Sequence, residues 1–279
     1  MAIATLDALV DAMGNNSSRV VIDKASLSNA TAGAFHSLWR ATGQPGQAAI
    51  PTSAAVCNNA LLGSIQFTQQ TAPATSYLGI LEGLCTNSGT TLEIHDRLMH
   101  MGGLNGTLLT AQTVNVDIQA NLATDNLDAR KGDANYSDIQ WWLEWYTDTG
   151  ATASNATVNV TYNDGTSGNL TVIAVGGTVR ASRMLPLNSL IPAAAAGKYI
   201  RDVNDVTLSA STGTAGNFGV TATRYRGALY QPVANARFTA DWAGLGLPEI
   251  ANSSSLFCIQ VAGTTTTGSV RATGKIVHG

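Results

Sequence analysis

The chain has 279 residues, with 18 acidic and 15 basic side chains and a formal net charge of −3. Charged residues make up 12% of it, about half the usual share near 25%. The sequence has no basic block to neutralise a phosphate backbone and no apolar run of the ~20 residues a membrane-spanning helix needs, so neither nucleic acid nor membrane is an expected partner.

The start, MAIATLDALVDAMG, lacks a basic stretch and carries Asp7 and Asp11, so it does not read as a secretion signal. Leu6, Leu9, Val10 and Met13 fall at helical spacing, which predicts a short amphipathic helix ending near Gly14. A second helix is predicted from Ser28 to Thr42, with Phe35, Leu38 and Trp39 as its stripe and Gly43 and Pro45 as its stop. His36 would sit inside it as a structural residue. Residues 1–75 therefore read as an N-terminal helical arm with loops, and residues 76–279 as a β body, open to a subdivision into 76–138 and 139–279.

Strands are predicted at Tyr77–Cys85 and Thr90–Met101, flanking the turn Asn87-Ser88-Gly89. His95, Asp96 and His100 lie in the second. Two His five apart fall on opposite faces of a strand, and no third ligand has suitable spacing, so no metal site is expected. Asp117, Asp125, Asp128, Asp133 and Asp138 do not follow the alternate spacing of a calcium loop. Residues 115–138 read as a solvated loop or an intersubunit arm.

The stretch from Ile139 to Val175 holds three of the five tryptophans. Ile139, Trp141, Leu143 and Trp145 share one parity; Gln140, Trp142, Glu144 and Tyr146 share the other. Alternation predicts a strand with one wholly apolar side. Ala156, Val158, Val160 and Tyr162 predict a second, with Asn and Thr on its other face. Asn163-Asp164-Gly165 supplies turn chemistry, and Leu170, Val172 and Ala174 restart the alternation. The expected arrangement is an antiparallel meander. Further strands are predicted at Tyr199–Ala210 and from Phe218, joined as a hairpin. Gly213, Gly216 and Gly219 lie at that connection and lack the Lys-Ser/Thr of a phosphate loop. Two final strands, around Phe257–Val261 and Val270–Ile276, form a closing hairpin. Cys57, Cys85 and Cys258 are odd in number and far apart, which predicts buried free thiols in a protein made in a reducing cytoplasm. The fold class expected is mainly β: an antiparallel, jelly-roll-like β-sandwich with a short helical N-terminal region.

Five segments, in order, carry a family resemblance: SLWRATGQPG (37–46), DRLMHMGGLNGTLLTAQTVN (96–115), LEWYTDTGATASNATVNVTY (143–162), VTLSASTGTAGNFGVT (206–221) and GLGLP (244–248). They resemble structural proteins of tailed-bacteriophage virions. The resemblance implies assembly into a particle and carries over no active-site residue.

The leading functional expectation is a capsid decoration or cement protein, made in the bacterial host cytoplasm and located in the virion. Its partners would be the major capsid protein and its own copies, with a trimer as the expected oligomer. The N-terminal segment would be the capsid-binding or subunit-swapping element, and removing residues 1–20 would leave the β core folded. The alternative is an adhesion or carbohydrate-binding module using Trp142, Tyr146 and Tyr162 as a platform. An enzyme is not expected: Glu144, between two tryptophans, has no identifiable carboxylate partner. No catalytic, cofactor-binding or metal-binding residue set is assigned.

Overall fold

The computed structural model describes residues 3–177 and 181–279. Helix α1 (Leu6–Asn15) is capped by Thr5, whose hydroxyl accepts from the Ala8 amide at 3.1 Å. The strands that follow are β1 (Ser17–Lys24), β2 (Phe35–Ser37), β3 (Gly43–Gln44), β4 (Ala55–Val56), β5 (Ser76–Cys85), β6 (Thr90–Leu104) and β7 (Gln112–Asp117). After a short helix α2 (Leu127–Arg130) come β8 (Ile139–Thr147), β9 (Ser154–Tyr162), β10 (Ser167–Asn169), β11 (Ile173–Val175), β12 (Arg183–Pro186), β13 (Ile200–Leu208) and β14 (Asn217–Gln231). The chain ends with β15 (Phe238–Ala240), α3 (Trp242–Leu245), β16 (Glu249–Ile250), β17 (Leu256–Val261) and β18 (Val270–His278). The fold is mainly β, every strand pairing whose register is resolved is antiparallel, and the one longer helix is at the N-terminus.

The chain forms two compact units. Residues 1–49, 58–96 and 225–279 make the first; residues 50–57 and 97–224 make the second. An expected boundary near residue 76 does not coincide with either division. In the first unit β15, β5, β18, β1 and β3 form a sheet in that order, with β16 also on β5. There too, β17 pairs with β2 and with Thr91–Asp96 of β6. The unit's core gathers Val20 and Ile22 of β1, Leu78 and Leu81 of β5, and Ile276 of β18. In the second unit β10, β9, β13 and β7 form a sheet, with β11 also on β9, while β8 pairs with β12 and with Asn217–Arg224 of β14. The apolar sides of these two layers meet in one cluster that includes Trp141, Trp145, Val158, Val160, Val206 and Phe218. That is sandwich packing of two antiparallel layers.

Several sequence expectations change. The Ser28–Thr42 segment is not a helix. It is a looped stretch containing β2, which is held by β17 and by the Leu38 amide donating to the Cys258 carbonyl at 2.9 Å. Trp39 packs edge-on against Phe257 at 5.9 Å. Non-local pairing has overridden a weak helical stripe. Residues 17–24 are not part of an arm: β1 pairs along its whole length with β18 and buries Val20 and Ile22. Loss of residues 1–20 would therefore break a sheet rather than trim an appendage. Residues 115–138 are not a solvated loop, because Ile118, Leu127 and Tyr136 join the second unit's core.

The expected hairpins fail in a consistent way. β8 and β9 lie in different sheets, as do β5 and β6, β13 and β14, and β17 and β18. Each turn crosses between layers, because a strand with a core-facing side can meet its sequence neighbour across the core as well as edge to edge. The β9–β10 hairpin across Asn163–Gly165 does form, with Gly165 at φ +83°. After Leu170 the backbone leaves the strand, which shifts the parity: Val172 is 53% exposed and Val175, rather than Ala174, is buried.

Trp141 and Trp145 are the bulkiest side chains in the second unit's core, at 0% and 1% exposure. Replacing either by Ala should destabilise that unit by about 3–5 kcal/mol through lost transfer energy and a residual cavity. Urea unfolding monitored by circular dichroism checks this; a loss below about 1 kcal/mol would mean the core is not packed as described.

Candidate functional site

The densest polar constellation in the second unit is built on β6, β8 and β14. Arg97 projects from β6, Glu144 and Tyr146 from the same side of β8, and Thr221 from β14. Arg97 Nη2 lies 2.6 Å from Glu144 Oε2, and Nη1 lies 3.3 Å from Oε1, a two-pronged ion pair. Nη2 also donates to the Tyr146 and Thr221 hydroxyls at 2.8 and 3.1 Å, and Nε donates to His100 Nδ1 at 2.9 Å. Tyr146 and Thr221 both donate to Glu144 Oε2. Arg130 extends the cluster, its guanidinium donating to the Cys57 carbonyl at 2.6 Å and the Arg97 carbonyl at 2.9 Å.

The Arg97 and Glu144 side chains are 0% and 1% exposed. Burial opposes the Arg97 charge, but Glu144 outweighs it and holds the guanidinium above its ordinary pKa. Burial, and then Glu144, pushes the Tyr146 phenol up, so it stays a neutral donor. Burial, reinforced by Arg97, pushes His100 well below the ordinary imidazole range, so its Nδ1 lone pair remains available to Arg97. Every strong donor faces an acceptor already in place. The cluster can fix the relative positions of three strands; it is sealed from any substrate.

The other sequence candidates scatter. His95 bonds Glu93 at 2.9 Å and stacks edge-on with Tyr225 in the first unit. Asp96 accepts from the Ser254 hydroxyl and the Ser255 amide, each at 2.9 Å. His36 Nε2 accepts from the Thr31 amide at 3.1 Å. Asp133 caps the turn at Asn135–Ser137, and Asp138 pairs with Arg224 at 2.8 Å. Among the described residues no group of three or more His, Cys, Asp or Glu is placed to hold a metal. Trp142, Tyr146 and Tyr162 are buried, at 3%, 4% and 3% exposure, so they form no glycan platform. The indole of Trp142 donates inward to Thr223 at 2.9 Å. All three cysteines are free and buried, and burial pushes the Cys258 thiol up to about 12. At Gly219 an added Cβ would meet the Met101 carbonyl at 1.7 Å, so this glycine serves strand packing rather than a phosphate.

Sequence reasoning missed the Arg97 partner of Glu144. A signal existed: in a chain this poor in charge, an arginine in a predicted strand directly before the apolar pair Leu98-Met99 calls for a buried counter-ion. It also missed a carboxyl pair. Asp202 of β13 stands directly opposite Asp117 of β7. Arg201 Nε lies 2.7 Å from Asp202 Oδ2, yet burial, with Asp117 adding to it, raises Asp202 to about 6.

Comparison with known proteins adds little. No family model matches the chain, and no curated protein matches it. Among solved structures it aligns with VP2 of infectious bursal disease virus. The subviral particle aligns at 12% identity and TM-score 0.19, covering 94% of this chain and 79% of that one. The Gt strain structure aligns at 11% identity and TM-score 0.19, covering 94% and 81%. A likeness at this level does not establish a shared fold, and function has to be argued from the chain itself.

Removing one ion-pair partner strands the other. Glu144→Gln or Arg97→Met alone should cost about 3–5 kcal/mol, and the double variant Arg97→Met/Glu144→Leu less than the sum of the singles. A double-mutant cycle by chemical denaturation measures this; additive losses would show that the pair is uncoupled. The raised Asp202 value makes the folded state hold a proton that the unfolded chain has released. Stability should therefore fall as pH rises from about 4 to about 6 and level off above. Asp202→Asn should flatten that part of a melting-temperature profile.

Proposed function

We propose that this protein is a structural component of a tailed-bacteriophage virion, of the capsid decoration or cement kind. It would be made in the host cytoplasm and act in the particle by burying surface against the major capsid protein and against its own copies, as a trimer. Five motif segments in order support membership of a virion assembly. The neutral Asn/Thr faces and the sealed polar cluster support a scaffold rather than a catalyst.

The observation that carries the reading is the outer side of α1. Leu9 and Ala12 dock on Val277, but Leu6 and Val10 are 58% and 63% exposed. Leu6 lines a groove of about 580 Å³ with Ile3, Leu9, Trp242 and Leu247. An apolar groove on a charge-poor protein is suited to a partner. Helix α1 carries Asp7 and Asp11 and no basic residue. A second copy docked face to face would set these acids against themselves. A shell protein presenting an apolar side chain flanked by basic groups would complement them.

Because β1 is integral to a sheet, the test uses point substitutions. Leu6→Asp and Val10→Asp should leave the circular dichroism and melting temperature nearly unchanged while lowering occupancy on particles about tenfold or more, read by quantitative gel of purified virions. Undiminished occupancy of both variants would remove this face from the assembly. Light scattering of the free protein checks the trimer.

A further inference from the structure

Three adjacent strands of the first unit bring together Ser18 of β1, His278 of β18 and Ser76 of β5. In the register, Ser17 pairs with Val277 and Ser76 with His278. Ser18 Oγ lies 2.8 Å from His278 Nε2, and Ser76 Oγ lies 3.0 Å from His278 Nδ1. His278 and Ser76 are buried, while Ser18 is half-buried. Ser18 and His278 both open onto a pocket of about 510 Å³, walled by Asn15, Asn16 and the segment 68–71. The Thr68 amide donates to Ser18 Oγ at 3.0 Å.

The chemistry of this chain is directional. With Ser76 Oγ accepting from Nδ1–H, the Nε2 lone pair faces the Ser18 hydroxyl. A hydroxyl, a base within hydrogen-bond reach and a third group orienting that base are the parts of an activated nucleophile. The Thr68 amide, donating to Ser18 Oγ, fixes the orientation of that hydroxyl and leaves its proton directed at His278. Burial lowers the His278 pKa, which keeps the imidazole in its basic form at neutral pH. The pocket lining is amide, hydroxyl and imidazole, with no formally charged side chain. That suits a neutral, hydroxyl-rich substrate.

We propose that this pocket is an acyl-transfer site in which Ser18 is the nucleophile, His278 its general base and Ser76 the residue that positions His278, acting on a neutral acyl ester of a polyhydroxylated molecule. Ser18 Oγ forms a bond to the ester carbonyl carbon and its proton moves to His278 Nε2. The carbon–oxygen bond to the alcohol breaks, and the alcohol leaves with that proton. Water, deprotonated by His278, then adds to the acyl carbon; the acyl–Ser18 bond breaks, His278 returns that proton to Ser18 Oγ, and the carboxylic acid is released. The site is separate from the α1 groove and does not depend on the virion reading.

The test treats the full-length protein with a fluorophosphonate, which forms a phosphorus–Ser18 Oγ bond and expels fluoride. Peptide mapping should find one adduct, on Ser18. Ser18→Ala should abolish it, and His278→Gln should slow it about a hundredfold or more. Ser76→Ala should slow it less, and Ser76→Thr, which keeps the acceptor, should restore the rate. A folded wild-type protein without an adduct, or an adduct that survives Ser18→Ala, overturns the proposal. Ser18→Cys guards against misfolding of the other variants. With His278 as its base, that thiol should react with iodoacetamide at pH 6.5 about tenfold faster than an unactivated thiol, whose pKa is about 8.5. An ordinary rate also overturns it.

Discussion

The second unit depends on strand β8 being buried on both faces. One face sends Trp141 and Trp145 into the sandwich core, where the Trp145 ring stacks on Phe218 at 5.1 Å. The other face carries Glu144 and Tyr146 into contact with Arg97. Apolar area supplies the gross stabilisation of the first face. The second face contributes selectivity of a different sort: a buried carboxylate tolerates only an arrangement that brings a cation and two hydroxyls to it. Such a strand cannot slip by one residue without setting Glu144 against the apolar core and forcing two indoles into the place of Arg97's partners.

The first unit solves a different problem. Its sheet is made from segments far apart in the chain, with β1 and β18 paired along their whole lengths. Strands β18 and β1 thus lie side by side in the interior of a sheet, between β5 on one side and β3 on the other. Helix α1 then covers Val277 with Leu9 and Ala12 and leaves Leu6 and Val10 outward. The same juxtaposition sets Ser18 and Ser76 on either side of His278. Architecture and site have one cause here.

Much of the local structure was legible. The span of α1, the alternation of β9 and β13, the turn at Asn163–Gly165 and the burial of the cysteines follow from spacing and residue chemistry. The helix predicted at Ser28–Thr42 was not real, because Phe35, Leu38 and Trp39 satisfy a helical stripe and a looped, cross-packed segment equally well. Trp142, Tyr146 and Tyr162 looked available for a ligand because polarity patterns describe one strand at a time. Whether a second layer covers them depends on residues elsewhere.

By itself the sequence determined where β5, β6, β8, β9, β13, β17 and β18 run and which side of most of them is apolar, since side-chain alternation is a property of a single extended chain; it did not show β1 or β2, whose pairing partners lie far away in the chain. Only the tertiary structure decided which strands are neighbours. An apolar side is satisfied equally by the next strand in sequence or by one across the core. That choice is what turned hairpins into crossings between layers, joined Arg97 to Glu144, and brought Ser18 within hydrogen-bond reach of a histidine 260 residues away.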